Sequence, residues 1–265
     1  MSPATETASA IPTHMFRSAC RVASISIILA SALFAAPAEA QEAPPGLAKL
    51  VAERATEARA ARDQYTYRQS VTVIEFSPAG AEAGEYREVR DVVFSPGGER
   101  SEKLIGKPRN LLHRLKLTDE DFADIRTVQP FLFSTDELWA YETRFKGEET
   151  VAGIECYVLQ VRPRQILAGQ RLFDGLLWAS KKDYSIVRTV GKAVPDIRSM
   201  TNENLFPHFT TDWGPVDGNF WFPIHTYSDD TLDFRTGPLR TRMDIRYSDY
   251  KRFGASSAIH FDKPE

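Results

Sequence analysis

Beyond residue 40, the side chains able to do covalent or metal chemistry are few and widely spaced. His113, His208, His225 and His260 have no second His or Cys at metal-ligand spacing, so neither H-E-x-x-H nor C-x-x-C chemistry is written locally. Cys156 sits in ECYVLQV among apolar residues. A nucleophilic thiolate wants an electropositive, partly exposed setting, so this thiol reads as buried and structural. No G-x-S-x-G is present, nor an S-x-x-K with its partners. PGGER has glycines but no following Gly-Lys-Ser/Thr, which makes it a turn rather than a phosphate cradle. The acidic pairs Glu148-Glu149 and Asp229-Asp230 fall at turns, where carboxylates are solvated. No catalytic residue, metal ligand or cofactor is assigned on these grounds. One covalent alternative stays open, an exported hydrolase built from distant residues, with His208 or His225 beside a carboxylate such as Asp212.

Aromatic residues are the other feature with functional content. Trp139, Phe173, Trp178, Trp213, Phe220, Trp221 and Phe222 all lie on expected strands or at their ends. Each alone is expected to fill a core, but together they support an apolar pocket, because a bent sheet with few helices has little protein to fill its hollow. Trp139, Phe173, Trp178 and Phe222 are the residues expected to line it, around a hydrophobic ligand such as an acyl chain. The stretch DGLLWASKKDYSIVR (174–188) sharpens the point: its two strands carry apolar residues on both faces, and something must cover the second.

The elements that would hold these residues begin after an address. Arg17 and Arg21 form a basic region, VASISIILASALFAA (22–36) is too short for a span of about 20 residues, and Ala38-Glu39-Ala40 matches an A-x-A cleavage site. Residues 1–40 are therefore read as a signal peptide cleaved after Ala40, starting at Met1 or Met15, and the destination as periplasmic or secreted. Cys20 precedes the apolar run, so lipid anchoring is not expected. Cleavage leaves Cys156 as the single cysteine and removes the internal-disulfide option. It takes away two charges of each sign, so the net charge of −3 persists and argues against a nucleic-acid partner.

Residues 41–64 are a Pro-rich leader and one amphipathic helix, with Leu47, Leu50, Val51 and Ala55 at helical spacing. Residues 65–253 form a β domain with inserted short helices, and 254–265 a tail. Strands are expected at 65–76 and 84–95, short helices at 108–115 and from Thr118 as N-cap, and then a meander of seven strands from Glu142 onward. Asp217-Gly218 predicts a type I′ hairpin turn. Met243, Ile245 and Tyr247 alternate with Arg242, Asp244 and Arg246, which predicts a strand wet on one side. The fold class is α+β: a strongly curved antiparallel sheet, an incomplete β-barrel, closed by a few helices.

Four stretches, VAGIECYVLQVRPR, FDGLLWASKKDYSIVRTVGK, VDGNFWFPIHTYSDD and RMDIRYSDYKRF, resemble in their order the LolA/LolB-like superfamily of periplasmic lipoprotein-sorting proteins. The shared succession is a loop Gly before a strand ending in Pro, a Trp in GLLW, a polar turn before IVR, a DG-x-FWFP strand and a final Y-x-DYKRF. The resemblance covers residues 65–253. It implies an incomplete barrel holding acyl chains, and a carrier or binder of lipid or lipoprotein acyl groups with possible transient membrane contact. The polar gating residues of the sorting carriers match no position here, and there is no lipobox. A non-catalytic envelope interaction module, its hollow filled by its own helices, is the remaining alternative.

Overall fold

The structure, a computed structural model, describes residues 42–95, 99–199 and 203–252. The expected signal peptide, the expected turn at 96–98 and the expected C-terminal tail lie outside the described residues. In chain order the elements are helix α1 (Leu47–Arg62), strands β1 (Tyr65–Phe76), β2 (Glu82–Phe94), β3 (Arg100–Leu104) and β4 (Arg109–Asn110), helix α2 (Asp119–Thr127), a 3-10 turn (Leu138–Ala140), and strands β5 (Tyr141–Val151), β6 (Ile154–Pro163), β7 (Leu172–Ser180), β8 (Ile186–Val194), β9 (Ile197–Arg198), β10 (Glu203–Asn204), β11 (Phe209–Val216), β12 (Phe220–Phe234) and β13 (Gly237–Arg252).

Eleven strands form one antiparallel sheet in the order β3-β2-β1-β13-β12-β11-β8-β7-β6-β5, with β4 added beside β2. The C-terminal strands are the expected meander. The N-terminal hairpin then joins the last strand, Val71 standing opposite Ile245. β3 and β5 end the sheet on opposite sides, so it does not close into a barrel. The turn at 217–218 has φ of 52° and 73°, the positive pair a type I′ turn demands.

Side-chain alternation decides the two faces. On β13, Met243, Ile245 and Tyr247 are buried while Arg242 and Arg246 are exposed, as their pattern predicts. Inward residues of β1, β2, β5, β6, β7, β8, β11 and β13 share one core cluster with Leu47, Val51, Ala52 and Ala55 of α1 and with Ile125, Val128, Phe131, Leu132 and Phe133. We call this the inner face. Helix α2 opens on a capping box: the Thr118 hydroxyl accepts from the Asp121 backbone N–H, and the Asp121 carboxylate accepts from that of Thr118.

Residues 108–115 depart from the expected helix. Arg109–Asn110 pairs with β2, and the backbone N–H groups of His113, Arg114 and Leu115 donate to the Glu75 carboxylate, which is 1 % exposed. A buried carboxylate is satisfied by charge-assisted bonds, and these hold the loop extended where local propensity favours a helix.

Gly175 and Gly191 stand opposite each other on β7 and β8, under the ring of Phe173. A Cβ built on Gly175 would clash with the Val190 carbonyl oxygen and come within 2.7 Å of that ring, and one built on Gly191 would clash with the Asp174 carbonyl oxygen and come within 2.8 Å of the ring. The notch lets Phe173 lie flat on the sheet and stack on Phe131 at 4.6 Å between centroids. Gly191→Ala should therefore cost about 2–3 kcal/mol by overpacking, read as a lower urea midpoint at unchanged m. A midpoint equal to wild type would show that neither the facing backbone nor the ring crowds that position.

Candidate functional site

The inner face is covered by α1 and by the segment 128–140. Against the sheet, α1 turns Leu47, Val51, Ala52, Ala55 and Ala58, a row with little side-chain volume. Beside it, Phe131 and Phe133 meet Tyr141 and Phe173. Polar ties join the two segments at the rim. The Thr56 and Thr135 hydroxyls are 3.0 Å apart, and Arg59 donates to Ser134 and Asp136 at 3.2 and 2.8 Å. Arg54 donates to the Asn219 carbonyl and to Ser185.

Beneath α1 the enclosed space is about 10 Å³, lined by residues including Ala55, Leu132, Ile186, Trp213 and Trp221. That is about one water-sized sphere. The expected open apolar hollow is thus corrected: small helical side chains and three phenylalanine and leucine side chains from 131–133 occupy it. Two solvent-open recesses are polar, one of about 380 Å³ at Arg100, Glu102, Arg126 and Thr127, the other of about 270 Å³ at Glu148, Glu149, Thr150, Glu155, Cys156 and Lys181.

The four expected lining aromatics do not share one surrounding. Phe173 is fully buried in the inner core. Phe222 is buried too, in an aromatic group with Tyr65, Phe220 and Tyr250 where β1 begins. Trp139 is 75 % exposed on the 3-10 turn. Trp178 has the opposite parity from Phe173 on β7, so it faces outward, packed with Val151, Cys156, Val158 and Val187. Its Nε1–H donates to Glu149 at 2.8 Å. This answers what covers the second face of the β7–β8 hairpin: a small satellite core made by the chain itself. Burial in that cluster pushes the Cys156 thiol up to about 11, which keeps it protonated and unreactive.

What sequence reasoning passed over is a polar line across the inner face. Thr189 on β8 stands opposite Thr211 on β11, which stands opposite Thr226 on β12. Tyr247 on β13 stands opposite Gln69 on β1. All are buried. The Thr211 hydroxyl donates to the Gln129 carbonyl at 2.8 Å and lies 2.8 Å from Thr226. Threonine is a common strand residue, so its presence alone carried no signal. A usable signal existed only at Thr211, which falls between the inward Phe209 and Trp213; Thr189 and Thr226 have no such pair of apolar neighbours two residues away.

The histidines are engaged singly. His225 Nε2 lies 2.7 Å from Asp244, and His208 Nδ1 lies 3.2 Å from Asp230. Asp212 stands opposite His225 in register, yet its carboxylate takes the Arg188 Nε–H at 2.6 Å. The sequence-proposed pairing of Asp212 with either histidine is therefore not formed. Among the described residues no group of three or more His, Cys, Asp or Glu is placed to hold a metal ion.

Where α2 meets the sheet, Arg171 Nη2 lies 3.0 Å from Asp124 Oδ2, the carboxylate being 2 % exposed. Burial pushes Asp124 up to about 7, opposed by the Arg171 charge and helped by Asp121 and Glu120. Burial likewise lowers the Arg171 pKa against the pull of Asp124, Asp121, Asp196 and Glu120. The guanidinium carbon sits over the Phe206 ring, 3.1 Å from its centroid.

Fold and site together define an open antiparallel-sheet protein whose inner face carries a helix and an aromatic segment. No family model matches the chain, and no curated protein matches it. Among solved structures it is similar to a DUF1329 family protein from Desulfovibrio piger, at 15 % identity and a TM-score of 0.43, covering 80 % of this chain and 94 % of that one. It is similar to a putative outer membrane lipoprotein-sorting protein domain from Vibrio parahaemolyticus (11 %, TM-score 0.36, 77 % and 92 %). A third is a LolA superfamily protein from Nitrosomonas europaea (14 %, TM-score 0.31, 76 % and 94 %).

Proposed function

We propose that this chain is an exported binder or carrier of acylated lipids in the cell envelope, its ligand entering between the sheet and the α1 and 128–140 segments. The carrying observation is how little α1 contributes to its own seat. Burying Leu47, Val51 and three alanine methyls is worth roughly 6 kcal/mol, whereas an acyl chain of about 14 methylenes gains roughly 11 kcal/mol on leaving water. Association costs at least about 4 kcal/mol more. One chain nearly breaks even, and two or three chains retain net affinity, so the favoured ligand is a diacylated or triacylated molecule such as a lipoprotein terminus. The superfamily resemblance of the sequence supports the same class. Phe173 would line the opened face and Phe222 its end near β1. Trp139, exposed beside the 164–170 loop that carries Ile166 and Leu167, suits transient contact with a membrane. Trp178, in the outward cluster, takes no part.

Native mass spectrometry of the protein purified from an envelope fraction tests this, together with melting in the presence of ligands. The expected result is co-purified diacyl lipid, a melting temperature raised by diacylated lipopeptide and a weaker response to a single-chain fatty acid. Lipid-free protein with an unresponsive melting temperature would overturn the carrier reading. The filled inner face would then favour the second reading, an interaction module with no lipid cargo.

A further inference from the structure

We infer that the polar line on the inner face recognises carbonyl oxygens, so that the ligand class is acyl esters and amides rather than hydrocarbon chains in general. The inference rests on the carrier reading above. Among the described residues, Trp213 Nε1, Thr189 Oγ1, Ser228 Oγ and Gln129 Oε1 are buried without a hydrogen-bond partner, and Gln69 Nε2 has nothing beyond the neighbouring Tyr247 hydroxyl. Thr189 is 0 % exposed and Gln69 1 %. Buried polar groups in folded proteins are nearly always paired, because an unpaired donor in a dry interior forfeits its water without compensation.

These five atoms lie along a line that crosses the inner face from β8 to β1. Thr189, Trp213 and Ser228 project inward from β8, β11 and β12, next to the bonded pair Thr211–Thr226. Gln129, whose carbonyl accepts from Thr211, donates its Nε2–H to Met243 Sδ at 3.3 Å. Gln69 continues the line beside Tyr247. They face the space that the proposed ligand would enter.

Their chemistry selects the ligand. Gln69 Nε2 and Trp213 Nε1 can only donate, the two hydroxyls can donate or accept, and one oxygen can only accept. A donor-rich, uncharged set fits neutral acceptors. Ester and amide carbonyls supply them, and they occur where an acyl chain joins glycerol or an N-terminal cysteine. A bare hydrocarbon offers none, and a free carboxylate would enter with no opposite charge in the line.

The test compares 1,2-dioleoylglycerol with its dialkyl ether analogue, which has the same chains but no carbonyls, by displacement of N-phenyl-1-naphthylamine. Wild type is expected to prefer the ester at least tenfold. Thr189→Val and Trp213→Phe should abolish that preference while binding of the ether is unchanged. Thr189→Val should also melt higher than wild type, since it removes an unpaired hydroxyl without changing shape. Equal affinity of wild type for ester and ether would overturn the inference and leave the carrier reading standing. Failure to bind either lipid would overturn both. Variants that lose ester and ether together would show that the line is structural, which also overturns the inference.

Discussion

Oxidation of a Thr56→Cys/Thr135→Cys protein should abolish lipid uptake, and reduction should restore it. The two hydroxyls lie 3.0 Å apart between α1 and the segment leading to the 3-10 turn, so the side chains that cysteines would replace already meet across the two segments. If ligand reaches the inner face by parting these segments, a covalent bond across the parting line blocks entry at any ligand concentration. The bond should also stabilise the fold by about 2–4 kcal/mol through loop closure. Cys156 does not compete for pairing, because its buried thiol is held protonated. Uptake at the wild-type rate in the oxidised protein, with the crosslink verified by mass, would show that ligand does not pass between α1 and residues 134–136.

Arg171→Ala should destabilise the protein by about 3–5 kcal/mol at pH 8, because it leaves a buried charge without its partner. At pH 5 the loss should be much smaller. Asp124 binds its proton more tightly folded than unfolded, about 7 against 3.8. Stability from this group is therefore greatest below about pH 4, falls as pH rises toward 7 and is level above that, by on the order of 4 kcal/mol in total. Below the folded pKa, Asp124 is neutral and Arg171 has little left to compensate. Asp121, also raised by burial, adds in the same direction. Urea unfolding at both pH values measures the difference, and Asp124→Asn should flatten the slope between pH 4 and 7. Equal losses for Arg171→Ala at pH 5 and pH 8 would mean that the carboxylate titrates normally.

Much of the fold was legible because its signals are local. The two-residue period of β13, the paired positive φ of Asp217 and Gly218, the Thr118 cap and the row of small residues on α1 each follow from a few adjacent side chains. The seam between β1 and β13 was not, since residues 65 and 252 are brought together by long-range packing. Nor was the loop at 113–115, where the deciding group is Glu75, far away in sequence. The site was harder still. Aromatic residues announce burial but not which face they bury, so Phe173 and Trp178, five apart on one hairpin strand, went to different cores. Parity separates them once the register is fixed, and register is itself a tertiary property.

The free border at β5 bears on how copies of this chain coexist. Its strand carries Glu142, Arg144, Lys146, Glu148 and Glu149, and its ladder with β6 slips between Phe145 and Gly147. Charges and an irregular backbone make a poor template for a neighbouring strand. On that flank a neighbouring copy meets salt and a stepped backbone instead of a strand template, which disfavours fusion of sheets into fibrils there.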